Sequence, residues 1–233
     1  MAPIALIAPI ALVLALALTA VGARAAPIEA ALGIYATMQL SPAADATIAL
    51  LDLDGRALGP RLDAPQFCDL AARGAAVIAD ATYQVAGSAR ESQVFCGRLY
   101  TRLQRKQPVA AGALGRSRFE RVDWRYGLGA ERYKLVPWRT LAAPAGLASI
   151  GQALAVPALQ GLVLPDGTIH DGEVFVADRL EPGAEPRVEL FIGLEAQRSA
   201  AERALGAIGA IVGVQRLSAA PAAAARLRAL HSR

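Results

Sequence analysis

The chain has 233 residues, 55% hydrophobic and 19% charged, which suffices for one domain with a substantial core. Its formal net charge of +4 is too mild to point to nucleic acid, and two histidines are too few for a credible Ser-His-Asp set or a histidine-rich metal centre. No metal site and no cofactor is expected.

The first 25 residues stand apart. No side-chain charge occurs from Met1 to Ala23, and "IALVLALALTAVG" is a continuous apolar helix-former that ends at Ala23-Arg24-Ala25. Small-x-small after such a run is the cleavage pattern of a secretory signal peptide. About 20 apolar residues also suffice to span a bilayer. Removal after Ala25 and retention as an anchor therefore both stand, with removal the preferred reading; no cysteine follows the run to make a lipoprotein. Cleavage removes Arg24 and no acid, so the net charge falls only from +4 to +3. The processed chain is expected to be periplasmic or secreted and to hold no membrane span. Cys68 and Cys96 both stay in it. In an exported protein two cysteines suit one disulfide, and two buried free thiols are the alternative.

Strand signals dominate from there on. "LGIYATMQL" predicts a strand, and "ATIALLDLDGRALG" a hairpin around an Asp-Gly turn. "APQFCDLAARGAAVIA" predicts a short helix with a proline-led start and Gly74 as its stop. "SQVFCGRLYTRL" predicts a strand, and the basic, glycine-bearing stretch from Arg102 to Arg121 a long connection. "GLGAERYKLVPWRTLAAP" predicts a loop leading into an extended segment. "SIGQALAVPAL" and "GEVFVADR" predict short strands around the turn-rich "LPDGTIHDG", and "RVELFIG" a last strand. "LEAQRSAAERALGAIGAIVGV" is helix-compatible. Gly209 and Gly213 have GxxxG spacing, but the eleven residues Ala204 to Val214 are too few to cross a membrane. The tail "SAAPAAAARLRALHSR" predicts a loose or frayed helix. Many short strands at this spacing suggest a closed, mainly β barrel.

Residues 115 to 193, with "LVPWRTLAAP", "HDGEVFVAD" and "RVELFIG", resemble the 3D domain, named for three aspartates. That domain is shared with the catalytic part of the membrane-bound lytic transglycosylase A family. "GIYATM" and "FCDLAARG" are similar to short exported proteins that carry it. The resemblance implies a six-stranded double-psi β-barrel with insertions and a C-terminal helical segment. It would form a single domain over 26–217, with N-terminal strands and a disulfide-bearing insertion over 27–110 and a flexible tail over 218–233. The implied activity is non-hydrolytic cleavage of peptidoglycan glycan strands, and the implied partner is peptidoglycan.

Carried over by residue, the first aspartate falls on Pro144 and the second on Asp178. The third, the catalytic one, falls on Glu189. "RLEPGAEP", residues 179 to 186, stands where the family has a glycine-rich turn. A lytic transglycosylase needs a single acid/base, because the substrate's own 6-hydroxyl attacks C1. Glu189 would supply it, with Asp178 as the neighbouring charge; the ordinary alternatives are a solvent-facing strand residue and a turn-capping carboxylate. His170 and Asp171 read as a turn, or as substrate hydrogen bonds at a groove rim. Trp124, Tyr126, Tyr133 and Trp138 read as sugar-stacking platforms or as core. Arg116, Arg118, Arg121 and Arg125 read as a solvated basic loop, or as partners for substrate carboxylates. Two function classes follow: a transglycosylase built on Glu189, or an envelope-binding module that keeps the barrel without the chemistry.

Overall fold

The computed structural model describes residues 26–97, 111–180, 186–206, 209–216 and 221–232, so the expected export segment lies outside it. The described chain is mainly β. Its strands are β1 (Ile28–Leu40), β2 (Ile48–Leu51), β3 (Ala57–Leu62), β4 (Ala75–Ile78), β5 (Ala81–Ser88), β6 (Ser117–Val122), β7 (Thr140–Ala143), β8 (Ala153–Ala155), β9 (Glu173–Arg179), β10 (Arg187–Leu194) and β11 (Ile211–Arg216). Its helices are α1 (Ala64–Arg73), the single turn α2 (Ala111–Leu114), α3 (Arg198–Leu205) and α4 (Pro221–His231).

All strands but the β2–β3 hairpin join one nine-stranded mixed sheet. Within it six strands pair in a ring that returns to its start: β1, β10, β7, β9, β8, β11 and β1 again. The β1–β10 and β7–β9 pairs are parallel and the other ring pairs antiparallel. Period-two alternation packs the interior. Leu32 and Ile34, Leu141 and Ala143, Val174 and Val176, Val188, Leu190 and Ile192 all enter one apolar cluster.

β1 is thirteen residues long and outruns the ring. Its last residues, Met38 to Leu40, pair with β4, and β5 and β6 extend the sheet beyond it. There a second core gathers Met38, Leu50, Leu62, Phe67, Leu70, Ile78 and Phe119. Helix α1 belongs to this core. Asp63 accepts from Gln66 N at 2.8 Å while the Gln66 side chain accepts from Asp63 N, a reciprocal cap on the helix start. Gly74, at φ +86°, ends the helix as expected, since that backbone angle disfavours a side chain.

The expected disulfide is present between Cys68 of α1 and Cys96, 28 positions on, with both cysteines buried in the second core. Closing a loop of this length constrains the unfolded chain by about 3–4 kcal/mol. Cys96→Ala is expected to lower stability by that order in urea denaturation. An unchanged midpoint would mean that the bridge constrains little.

Four expectations are corrected. "SQVFCGRLYTRL" is not a strand over Ser92–Gly97, and residues 98–110 lie outside the described chain. The supposed long connection contains strand β6, whose Phe119 is fully buried edge-on against Phe67. The helix-compatible run after Gly193 is helical only through Leu205. Gly206, at φ +67°, stops it, and the β-branched Ile211, Val212 and Val214 form β11 instead, between β1 and β8. Last, the tail is docked. Over 221–231 it is helix α4, whose Leu227 and His231 are fully buried against β9. Leu227 packs with Phe175 and Ala177, and the His231 ring stacks on Phe175 at 4.6 Å.

Candidate functional site

Glu189 lies between Val188 and Leu190, which are buried in the ring, so period two turns it to the other face of β10. Asp178 has the parity of Val174 and Val176 and would enter the apolar core if β9 were regular. It does not, because the β7–β9 register slips by one residue: Leu141 pairs with Val176, but Ala142 pairs with Asp178. Ala177 is the extra residue of a bulge, a device that re-aims side chains beside functional sites. The result is one row across four strands: Asp178, Ala142, Glu189 and Gly33. Residues paired across a sheet share a face. The two carboxylates therefore flank the small Ala142 on one face, with Cα atoms two strand spacings, roughly 10 Å, apart.

Sequence reasoning missed the third member, Tyr35. It sits opposite Phe191, one pleat from the Gly33–Glu189 pair, with its ring on Phe191 at 5.1 Å. Its hydroxyl is buried against Asp178 but falls short of full hydrogen-bond geometry. Among the described residues it is the one buried side-chain polar atom without a hydrogen-bond partner. Burial first, then the negative charge of Asp178, raises the Tyr35 pKa well above the usual phenol value.

Both carboxyl groups are raised as well. Burial raises Asp178, against a hydrogen bond from Arg179 N at 2.9 Å and the nearby Tyr35 hydroxyl. Burial also raises Glu189, against Arg187 and Arg198 and with a further push from the charge of Asp178. Arg187 reaches Glu189 at 3.0 Å but is itself largely exposed, so the pair is soft. A Cβ on Gly33 would stand 3.0 Å from Glu189 Cγ; glycine leaves the carboxylate its room. The two acids open into different recesses. Asp178 and Tyr35 line one of about 250 Å³ with Thr37, Arg73 and Gln84, between the ring and the second core. Glu189 lines another of about 320 Å³ with Gly33, Arg187 and Arg198.

A carboxyl raised on folding binds its proton more tightly in the folded than in the unfolded chain. The stability so gained is present below the unfolded pKa, about 4, and is lost as the pH rises through the folded value. Asp178→Asn should therefore gain on wild type in melting temperature at pH 7 relative to pH 4, read by thermal melts at both. A variant that loses equally at both would show that the Asp178 charge is not strained.

The other anticipated residues are elsewhere. His170 is fully buried, with Gly172 N donating to its Nδ1 at 2.8 Å and its Nε2 bonded to Trp138 O at 2.6 Å. It braces a turn and is not at a rim. Asp171 is tied to Arg139 and Arg226 and accepts from Glu173 N. Trp138 is 7% exposed, at φ +62°, and belongs to the ring core. The Tyr133 ring packs edge-on against Phe175 at 5.1 Å. His170 and Trp138 are thus buried in the fold, whereas Asp171 stays exposed and Tyr133 half-buried. Arg118 is buried on the carbonyls of Glu91, Arg116 and Ser117, while Arg116 is exposed. Arg121 and Arg125 are exposed and line a recess of about 400 Å³ with Trp124. Tyr126 packs on Phe191. Pro144, where the first aspartate would fall, opens a turn whose Leu147 and Ala148 amides bond its carbonyl. Residues 181–185 of the altered turn lie outside the described chain.

No protein-family model matches the chain, and no curated protein matches it. Solved structures similar to it are lytic transglycosylases at low sequence identity. MltA from Neisseria gonorrhoeae is 11% identical, with a TM-score of 0.48 over 82% of this chain and 74% of that one. A membrane-bound lytic murein transglycosylase from Agrobacterium tumefaciens is 16% identical, with a TM-score of 0.46 over 87% and 79%. MltA from Escherichia coli with bound chitohexaose is 11% identical, with a TM-score of 0.47 over 81% and 71%.

Proposed function

We propose that this chain is an exported, lytic transglycosylase-like protein that acts on peptidoglycan glycan strands, with Glu189 as acid/base and Asp178 as its partner. The closed ring of six strands is read as the double-psi barrel that the sequence resemblance implies. One observation carries the proposal. The bulge at Ala177 turns Asp178 out of the core onto the face of Glu189, where its charge helps to raise the Glu189 carboxyl.

The chemistry needs no water. Glu189, protonated, donates to the glycosidic oxygen as the bond to C1 breaks. The 6-hydroxyl of the same sugar attacks C1, and the Glu189 carboxylate takes the hydroxyl proton, which restores the acid. Burial and the Asp178 charge both favour the protonated start. Ionised Asp178 would also stabilise positive charge developing at C1.

A second reading is an envelope-binding module. It is favoured by Pro144 in place of an acid and by the Arg187–Glu189 pair, which holds the ionised form of Glu189. Incubation of purified protein with isolated sacculi separates the two. The enzyme releases soluble muropeptides with 1,6-anhydro ends, whereas the module sediments with the sacculi and releases nothing. Export has its own test: the intact mass of the exported protein should correspond to a chain beginning at Ala26. A full-length mass in the membrane fraction would instead mean a retained anchor.

A further inference from the structure

A buried hydroxyl without a partner is costly, so its persistence calls for a reason. Tyr35 has three neighbours that bear on one. Its ring is fixed by Phe191, itself packed on Tyr126, so the hydroxyl is held in place. The hydroxyl faces Asp178, whose charge favours keeping the phenol protonated. The residue also lines the recess that it shares with Thr37, Gln84, Arg73 and Asp178, which is large enough for part of a sugar ring. Thr37 and Gln84 are already engaged there. Thr37 Oγ1 donates to Tyr126 O at 2.7 Å, and Gln84 bonds Glu120 and Leu128 N. That leaves Tyr35, beside Asp178 and Arg73, to meet a ligand.

We propose that Tyr35 is a substrate-contacting residue. Its hydroxyl accepts a hydrogen bond from a glycan hydroxyl in this recess and donates its own proton to the Asp178 carboxylate, which links the bound sugar to the charge beside Glu189. The inference rests on the glycan-binding reading above and adds to it a residue and a subsite. Hydroxyl donors on the ligand suit it, because Asp178 takes the phenol proton and leaves only lone pairs for the incoming group.

Tyr35→Phe tests this, because it deletes the hydroxyl beside Asp178 and keeps the packed ring. The melting temperature should be unchanged or higher. Muropeptide release from sacculi should fall about tenfold, the worth of one hydrogen bond made only on binding; if wild type binds without cutting, sacculus affinity should fall likewise. Asp178, faced by Tyr35 of β1 and Glu189 of β10, with Arg73 of α1 on the same recess, also loses a group that lowers its pKa. The acid limb of the pH–activity profile should therefore move to higher pH. Unchanged turnover and affinity would overturn the inference while leaving the glycan reading intact. A fall in activity matched by a fall in melting temperature would also overturn it, since the role would then be structural. Wild type that neither cuts nor binds sacculi removes the glycan reading, and this inference with it.

Discussion

Glu189→Gln is expected to lower muropeptide release by about 100-fold or more, with folding and sacculus binding preserved. The amide is nearly isosteric, so the strand pairing with Gly33 and Ala142 should hold. It cannot give up a proton to the leaving oxygen, and no second acid stands in that position on β10. Loss of the Arg187 ion pair should matter little to stability, because Arg187 is largely exposed and such pairs contribute about 0–1 kcal/mol. Glu189→Asp sharpens the result, since it installs the residue that the 3D resemblance places there. It should raise activity if reach alone limits Glu189, and leave it flat if Pro144 and the rebuilt 179–186 turn set the limit. Full activity in Glu189→Gln would assign the acid elsewhere.

Deletion of residues 221–233 is the change expected to cost most stability. Helix α4 covers the Phe175 end of the face whose other end carries Asp178. Leu227 is fully buried there, and truncating a buried leucine to alanine alone costs about 2–5 kcal/mol. Deletion also strips His231, whose Nδ1 bonds Leu227 O at 2.7 Å and whose Nε2 lies 3.0 Å from Thr140 Oγ1. Lys134 N loses the His231 carbonyl, and Asp171 and Glu173 lose Arg226. Urea denaturation should show a loss larger than that of Cys96→Ala, and activity should fall with it because β9 positions Asp178. A truncated chain as stable as the full one would mean that α4 merely rests on the sheet.

What could be read in advance follows the range of the forces involved. The helix at Ala64–Arg73 was legible because its start and stop are chemically local: Asp63 and Gln66 cap each other, and Gly74 ends it. β9 and β10 were legible from alternation. The aim of Asp178 was not, because parity with Val174 and Val176 sends it inward and only the pairing with β7 reveals the bulge. His170 finds its partner at Trp138, 32 positions away, so its burial carried no local mark. Tyr35 looked like any strand aromatic until its hydroxyl was seen to lack a partner. The tail misled for a different reason. Its alanine-rich run offers only Leu227 and His231, one turn apart, as a buried stripe, too faint a pattern to announce a docked helix.

The most direct measurement is the origin of the oxygen in the cleaved ends. Sacculi digested by the wild-type protein in water enriched in heavy oxygen should yield 1,6-anhydro muropeptides without label, because the sugar's own 6-hydroxyl closes on C1. Glu189→Gln should yield almost none. Reducing ends that carry the heavy oxygen would contradict the account, since they would require water as nucleophile and a hydrolytic role for the Asp178–Glu189 pair.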